Sequence, residues 1–283
     1  MSQCRSILFA PGNQPRKAEK ALASEADLVC LDLEDSVPHA EKAAARIAVG
    51  SLLGTSGRSF HVRINGMHSE HCFADLKAVA KPGLGGIVLP RYDGAASLAT
   101  IDWVLSALER EAGLPDRSIE VMPTVETALG LIRLDEIGRH PPRVRRLSFG
   151  AWDYTLDTGI AYTPDEGDIA HARAQLVVHS RASGLAAPID TSYPVIGDLP
   201  GLERSIRRAQ SMGYGGKACI HPEQVEPANR LFMPSESEIL GARAIVSAFE
   251  ASEASGAAAV KVDGKFVDYP IYERAKRLLG KIR

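Results

Sequence analysis

Apolar residues along the chain fall into two alternating kinds of run. Short runs rich in Ile, Val and Leu, without clean polar alternation, occur at Ser6–Ala10, Asp27–Leu33, Phe60–Ile64, Gly86–Leu89, Ile119–Pro123, Val144–Phe149, Pro188–Thr191 and Lys217–Ile220. That pattern suits strands covered on both faces, as in a parallel sheet wrapped by helices. Between them lie longer amphipathic runs at Pro15–Ala23, Pro38–Leu53, Ala95–Glu111, Thr127–Ile137, Asp168–Ser183, Leu202–Ser211 and Val225–Phe232. In Ala95–Glu111 the apolar set Ile101, Val104, Leu105 and Leu108 has the i, i+3, i+4, i+7 spacing of one helix face. Gly138, Gly184 and Gly213 stand where helix C-caps are expected. Eight strand–helix units within about 230 residues match a TIM (β/α)₈ barrel in number and size. A doubly wound open sheet is the alternative, weakened by the lack of a Gly-rich phosphate loop.

From Ser235 the pattern changes. Ser235–Ala251 reads as a helix with Ser235 at its N-cap. A small-residue stretch, Ala254–Ala259, follows and would allow movement. Val260–Asp263, Gly264 and Lys265–Val267 then read as a hairpin on an Asp-Gly turn, and Pro270–Leu279 as a last helix. The expected organisation is α/β: a catalytic barrel over residues 1–233 and a helix–hairpin–helix extension over 234–283 that acts as a lid.

Composition narrows the function classes. The chain has 283 residues, 45% hydrophobic and 24% charged, with a formal net charge of −2. Such values are globular and exclude a disordered chain. Near-neutrality supplies no overall field for nucleic acid or an anionic membrane, so neither is an expected partner. The N-terminal apolar run is too short for a signal peptide, and no stretch approaches the roughly 20 apolar residues of a membrane span. Cys4, Cys30, Cys72 and Cys219 form no C-x-x-C pair and read as reduced, buried thiols. A cytoplasmic protein is the expectation.

Barrel enzymes act at the C-terminal ends of their strands. Here those ends read Pro11-Gly12-Asn13, Asp32-Leu33-Glu34-Asp35, Arg63-Ile64-Asn65, Pro90-Arg91, Glu126, Trp152-Asp153, Asp190 with Tyr193, and His221. Acids on strands two, five and six, with arginines on three and four, would converge on one mouth. Glu126 and Asp153, from adjacent strands, form an oxygen-only pair suited to Mg²⁺; the competing reading is that each caps the next helix or pairs with a nearby arginine. Glu34 and Asp35, with Asp32, would support a metal from behind, or else cap the helix near Pro38 and pair with Lys42 or Arg46. Arg63 would grip a carboxylate or stabilise an oxyanion, or else pair internally with one of the acids.

Arg5, Arg16, Lys17 and Lys20 could hold the phosphates of a large cofactor, or form a solvated helix face. His68 and His71 are three apart with no third metal ligand in view, and His221 reads as a barrel-packing residue. With no G-x-S-x-G elbow and no evident Schiff-base lysine, metal chemistry is favoured over covalent catalysis.

Taken together, RSILFAPGNQPRKAEKA, DLVCLDLEDSV, HVRINGM, GGIVLPR, VMPTVET, LSFGAWDYTLDTG and GGKACIHPEQV resemble the citrate lyase β-subunit-like proteins, within a larger metal-dependent aldolase group. The resembling segments run from Arg5 to about Val225. The resemblance implies a barrel assembling as a homotrimer or a multiple of it. Mg²⁺ would be held by Glu126 and Asp153, with Glu34 and Asp35 near its waters. Arg63 would contact the substrate's oxoacid and thioester oxygens, and coenzyme A would lie near Arg5, Asn13, Arg16 and Lys20. The tail GKFVDYP is similar to the C-terminal segment of malyl-CoA and citramalyl-CoA lyases, where a lid aspartate from a neighbouring subunit acts as general acid or base. Asp268 takes that position here, with an N-cap ahead of Pro270 as its alternative role. One family feature, the early catalytic histidine of the 4-hydroxy-2-oxoacid aldolases, is not placed in this chain by the motifs.

The activity this implies is Mg²⁺-dependent carbon–carbon lysis or formation of a 3-hydroxyacyl-CoA thioester of the malyl-CoA or citramalyl-CoA type, through a thioester enolate. Thioesterase activity is open as an added capacity. The alternatives are a class II aldolase for a free 2-oxo acid such as pyruvate, and a citrate lyase β-type subunit working on a carrier-bound substrate.

Overall fold

Eight parallel strands close on themselves through hydrogen bonds between the first and the last. In the computed structural model, which describes residues 3–139 and 141–282, the strands are β1 (Ser6–Pro11), β2 (Leu28–Asp32), β3 (Phe60–Arg63), β4 (Leu84–Leu89), β5 (Glu120–Val125), β6 (Ser148–Phe149), β7 (Ile189–Asp190) and β8 (Gly216–Cys219). The helices around them are α1 (Pro15–Leu22), α2 (Lys42–Leu52), α3 (Cys72–Val79), α4 (Ala95–Glu111), α5 (Ala128–Ile132), α6 (Ala151–Thr158), α7 (Ala170–Ala182), α8 (Leu199–Met212) and α9 (Val225–Leu231). This is the expected TIM-barrel architecture. The barrel interior is filled by Ile7, Cys30, Val88, Met122 and Ile189, with Cys4 and Ala218 beside them. Each fully buried aliphatic side chain of this kind contributes about 1.5–3 kcal/mol.

The departures from expectation have physical causes. Two helices, α3 and α6, are unpredicted. In α6 the apolar Leu156 is 82% exposed, so its hydrophobic residues do not trace a core-facing stripe. The strand expected over Val144–Phe149 forms a ladder only at Ser148–Phe149, with an isolated bridge from Val144 to Val121. The intervening Arg145 and Arg146 turn their guanidinia toward Glu120. Gly184 and Gly213 follow α7 and α8 at positive φ as C-cap glycines should. Gly138, by contrast, lies inside the 3₁₀ segment Arg133–Arg139. No helix among the described residues is long and apolar enough to cross a membrane.

The chain divides into two compact units after Asn229. The second contains α10 (Glu236–Ala254), the antiparallel pair β9 (Val260–Val262) and β10 (Lys265–Val267), and α11 (Tyr269–Leu279). Ser235 begins α10 with a reciprocal capping box to Glu238. The hairpin turns on Asp263 (φ 44°) and Gly264 (φ 79°), both in the left-handed region that such a two-residue turn requires. The core of this unit is small: Phe249, Val267 and Tyr272, with the Phe249 and Tyr272 rings stacked at 4.6 Å.

Candidate active site

Strand register brings the first pair together. Asp32 and Arg63 end adjacent strands and sit directly opposite each other in the β2–β3 ladder. Arg63 Nε and Nη2 donate to Asp32 Oδ1 and Oδ2, both at 2.7 Å, in a bidentate fork. Asp32 also accepts from the backbone N–H groups of Glu34 and Ser36. Burial alone would raise the Asp32 carboxyl; the Arg63 hydrogen bonds outweigh it and hold the group below the usual range. The Arg63 guanidinium lies over the Phe9 ring, 5.6 Å from its centroid. Its third nitrogen, Nη1, lies 3.3 Å from Glu34 Oε2 and 3.4 Å from Asp35 Oδ2.

Glu126 follows β5 directly and is buried. The backbone N–H of Arg91 donates to Glu126 Oε1 at 2.7 Å. Arg91 adopts φ 53° to do so, a costly conformation for a residue with a Cβ. On the other side Glu126 Oε2 presses on Gly150, where an added Cβ would come within 2.4 Å of it. Glycine is required there by close approach. Asp153 stands in the first turn of α6, half-buried, with Arg91 Nη2 3.7 Å from its Oδ1. Burial, then the neighbouring Asp153 charge, pushes Glu126 up to about 7 against the Arg91 hydrogen bond. Burial, then Asp35, also raises Asp153. Glu34 is pushed up to about 8, chiefly by burial, with Asp35, Glu126 and Asp32 adding to it against Arg63.

Asp32, Asp35, Arg63, Glu126 and Asp153 line one cavity of about 340 Å³ at the C-terminal ends of the strands. Thr124, Ser148 and Thr191, which the sequence pattern does not single out, complete its polar wall. Each is a small hydroxyl residue at or near the end of an apolar strand, and nothing in the sequence separates it from an ordinary barrel residue. Glu34 adjoins the group through Arg63. Five acids are thus served by two guanidinia, Arg63 and Arg91. Carboxyls raised by burial and then by one another's charge, with oxygen donors only, fit a hard divalent cation such as Mg²⁺.

Several sequence-based alternatives resolve differently. Lys42 donates to the carbonyls of Leu33 and Glu34, and Arg46 pairs with the buried Asp75, so neither meets the acid knot. Neither Asp35 nor Ser36 caps a helix, since Pro38 and Glu41 hold those cap positions without side-chain bonds. His221 is not a packing residue: it is partly exposed and caps the 3₁₀ turn Pro222–Gln224. Asp190 is consumed by Arg173 and Lys217.

The four residues expected at a coenzyme A site separate. Arg16 and Lys20 are exposed on α1, and Asn13 in the preceding loop donates to Glu41. Arg5 precedes β1 at its opposite end, roughly 20 Å from the mouth at about 3.3 Å per residue. Its guanidinium is bound by Asp27. Arg5 is therefore a clamp at the foot of the barrel, because the residue before a strand cannot reach the strand's far end. In the second unit Asp268 caps α11, accepting from the Ile271 N–H at 3.4 Å. Capping engages one oxygen of a partly exposed carboxylate.

A family model described as HpcH/HpaI aldolase/citrate lyase matches residues 5–222. A (3S)-malyl-CoA thioesterase from Cereibacter sphaeroides is 35% identical over 280 residues, covering 98% of this chain and 94% of its own. An L-malyl-CoA/β-methylmalyl-CoA lyase from the same species is 34% identical over 296 residues, covering 96% and 92%. Among solved structures, the CitE protein of Mycobacterium tuberculosis in complex with magnesium, acetoacetate and coenzyme A superposes with a TM-score of 0.83. It is 29% identical and covers 99% of this chain and 98% of that one.

Proposed function

The chain belongs to the HpcH/HpaI aldolase/citrate lyase family, and from that premise we propose that it is a Mg²⁺-dependent carbon–carbon lyase of a 3-hydroxyacyl-CoA thioester of the malyl-CoA or citramalyl-CoA type. The observation that carries this reading is the cavity in which Glu126 and Asp153 stand beside Arg63 with an excess of acid. A carboxylate pair of this kind would hold Mg²⁺, with Glu34 and Asp35 orienting its waters. Bound Mg²⁺ supplies Lewis acidity and a template for the substrate's carboxylate and hydroxyl oxygens. The solved relative bound to magnesium and coenzyme A supports that pairing of ligands.

In the cleavage direction the bond between the thioester α-carbon and the hydroxyl-bearing carbon breaks. Its electron pair passes to the thioester as an enolate, and the hydroxyl gives its proton to a carboxylate of the site as its carbon becomes a carbonyl. Arg63, half-buried and held by its bidentate pair with Asp32, would turn Nη1 from Asp35 to the oxyanion. Arg16 and Lys20, exposed on α1 as Lys17 is, are cations available to coenzyme A phosphates, with Asn13 in the adjacent loop. Asp268, from a neighbouring copy in a homotrimer or a multiple of it, would move the proton to or from the enolate carbon. Four unpaired buried thiols accord with a cytoplasmic, reducing setting. The thioesterase relative keeps hydrolysis of the product thioester within the reading.

The test is a screen of purified protein against acyl-CoA and oxo-acid pairs with Mg²⁺, read by mass spectrometry, beside Asp268→Asn. Turnover of a free 3-hydroxyacyl-CoA that stops on chelation supports the reading, with Asp268→Asn lowering kcat and sparing KM. Turnover of pyruvate-derived aldols alone, or only of carrier-bound substrate, would overturn it. Unchanged kcat in Asp268→Asn would overturn the lid assignment.

A further inference from the structure

The β2–α2 and β3–α3 connections leave the barrel side by side, joined at their base by the Leu33 N–H donating to the Arg63 carbonyl. Farther out they bring together residues that the sequence spacing keeps apart. His39 opens the 3₁₀ turn before α2, while Glu70 and His71 immediately precede α3. The sequence offers His71 no third ligand. The fold supplies one from another connection: His39 Nδ1 lies 3.3 Å from His71 Nε2, and the two rings are 4.8 Å apart. Glu70 Oε1 lies 3.9 Å from His39 Nε2. One ligand atom from each of the three residues falls within 4.8 Å of the others.

We propose that His39, His71 and Glu70 form a second metal site, for a borderline divalent transition ion such as Zn²⁺. Two tetrahedral ligands at about 2.0–2.1 Å from one ion stand roughly 3.3 Å apart, the spacing these two ring nitrogens already have. Two imidazoles and a carboxylate make a donor set that prefers Zn²⁺, Co²⁺ or Ni²⁺ over Mg²⁺. The acids around Glu126 have the opposite preference, so the two sites select different ions. His39 and Glu70 side chains are 76% and 77% exposed, which leaves the ion open to solvent for its remaining ligands. An ion held there would staple together the connections that carry Glu34 and Asp35 on one side and follow Arg63 on the other.

The experiment is Zn²⁺ titration of the full-length protein against a chromophoric chelator, with millimolar Mg²⁺ present to occupy the oxygen site. A single Zn²⁺ per chain is expected, bound with unchanged affinity in Glu126→Gln. His39→Gln and His71→Gln should each weaken binding by more than the roughly tenfold at which even outer-shell changes begin. Zn²⁺ should raise the Tm of the native protein and not that of the double variant. His39 is exposed and His71 half-buried, so circular dichroism of the variants should match the native spectrum. Native Zn²⁺ affinity in the double variant, or displacement of Zn²⁺ by Mg²⁺ at comparable concentrations, would overturn the proposal.

Discussion

Two of the charge clusters, one around Arg173 and one at the mouth of the barrel, are built on opposite plans. Around Arg173 every acid is matched by cations. Arg173 forks onto Asp190 at 2.8 and 2.9 Å and reaches Glu166 at 2.8 Å, and Lys217 completes Asp190 at 2.5 Å. Ser205 and Arg208 take up the rest of Glu166. At the mouth, Asp32, Glu34, Asp35, Glu126 and Asp153 share Arg63 and Arg91. Both clusters are rich in ionisable side chains near strand ends, so residue type alone does not separate them. What separates them is the balance. A satisfied network holds the fold together, whereas an unpaid surplus of one sign leaves work for a ligand.

The largest effect should come from the surplus side. Glu126→Gln or Asp153→Asn should cut activity by on the order of 10³-fold, the rate equivalent of several kcal/mol of lost Lewis-acid stabilisation. Both variants should remain folded and lose the Mg²⁺-induced rise in Tm. Full activity of either would end the contrast. On the balanced side, Arg173→Met should do the reverse, because it strands Glu166 and Asp190 without their main cation. A loss of about 3–5 kcal/mol is expected in urea unfolding. A loss under about 1 kcal/mol would show that the network is slack.

The clusters should also answer pH with opposite signs. Glu126, ordinarily near 4.5, sits at about 7, and Glu34 at about 8. Between their ordinary and folded values the native protein keeps protons that the unfolded chain gives up. Stability without Mg²⁺ should therefore fall as pH rises from about 5 to 8, by on the order of 2–3 kcal/mol for Glu126. Glu126→Gln should flatten that slope, and Mg²⁺ should stabilise more at pH 8 than at pH 5. Glu166 is the converse: burial would raise it, but Arg173 and Lys217 outweigh burial and hold it at about 2. Its contribution is present above its ordinary 4.5 and disappears as pH falls toward 2. Unfolding curves across pH, with and without chelator, measure both arms.

The barrel was legible in sequence because parallel strands buried on both faces write themselves as apolar runs, and because strand ends fix where polar residues must go. That rule points to Glu126, Asp153 and Arg63, and the three line one cavity. Proximity along the chain groups Arg5 with Arg16, Lys17 and Lys20, although strand β1 separates it from them. The partner of Arg63 was open until strand register set Asp32 opposite it. Charge balance was illegible for the same reason: Asp190 and Glu126 both end apolar strands, and only packing gives one of them Arg173 and Lys217. The meeting of His39 with His71 depends on two connections at a distance of some thirty residues, which no local spacing records.

Arg91 offers the finest test of the mouth, since it contributes to Glu126 and Asp153 by different means. Its backbone N–H holds Glu126 at the cost of a left-handed φ, while its side chain stands as a weak competitor for Asp153. Arg91→Gly keeps the N–H and removes both the strain and the competitor. Stability should rise by about 0.5–1 kcal/mol or stay level, because glycine adopts this φ freely. Mg²⁺ affinity should hold or tighten by less than about tenfold, as a partly exposed pair at 3.7 Å contributes no more than roughly 1 kcal/mol. Isothermal titration with Mg²⁺ and urea unfolding of the same variant read the two quantities separately. A marked loss of Mg²⁺ affinity would mean that the guanidinium, rather than the N–H, is what positions the acids.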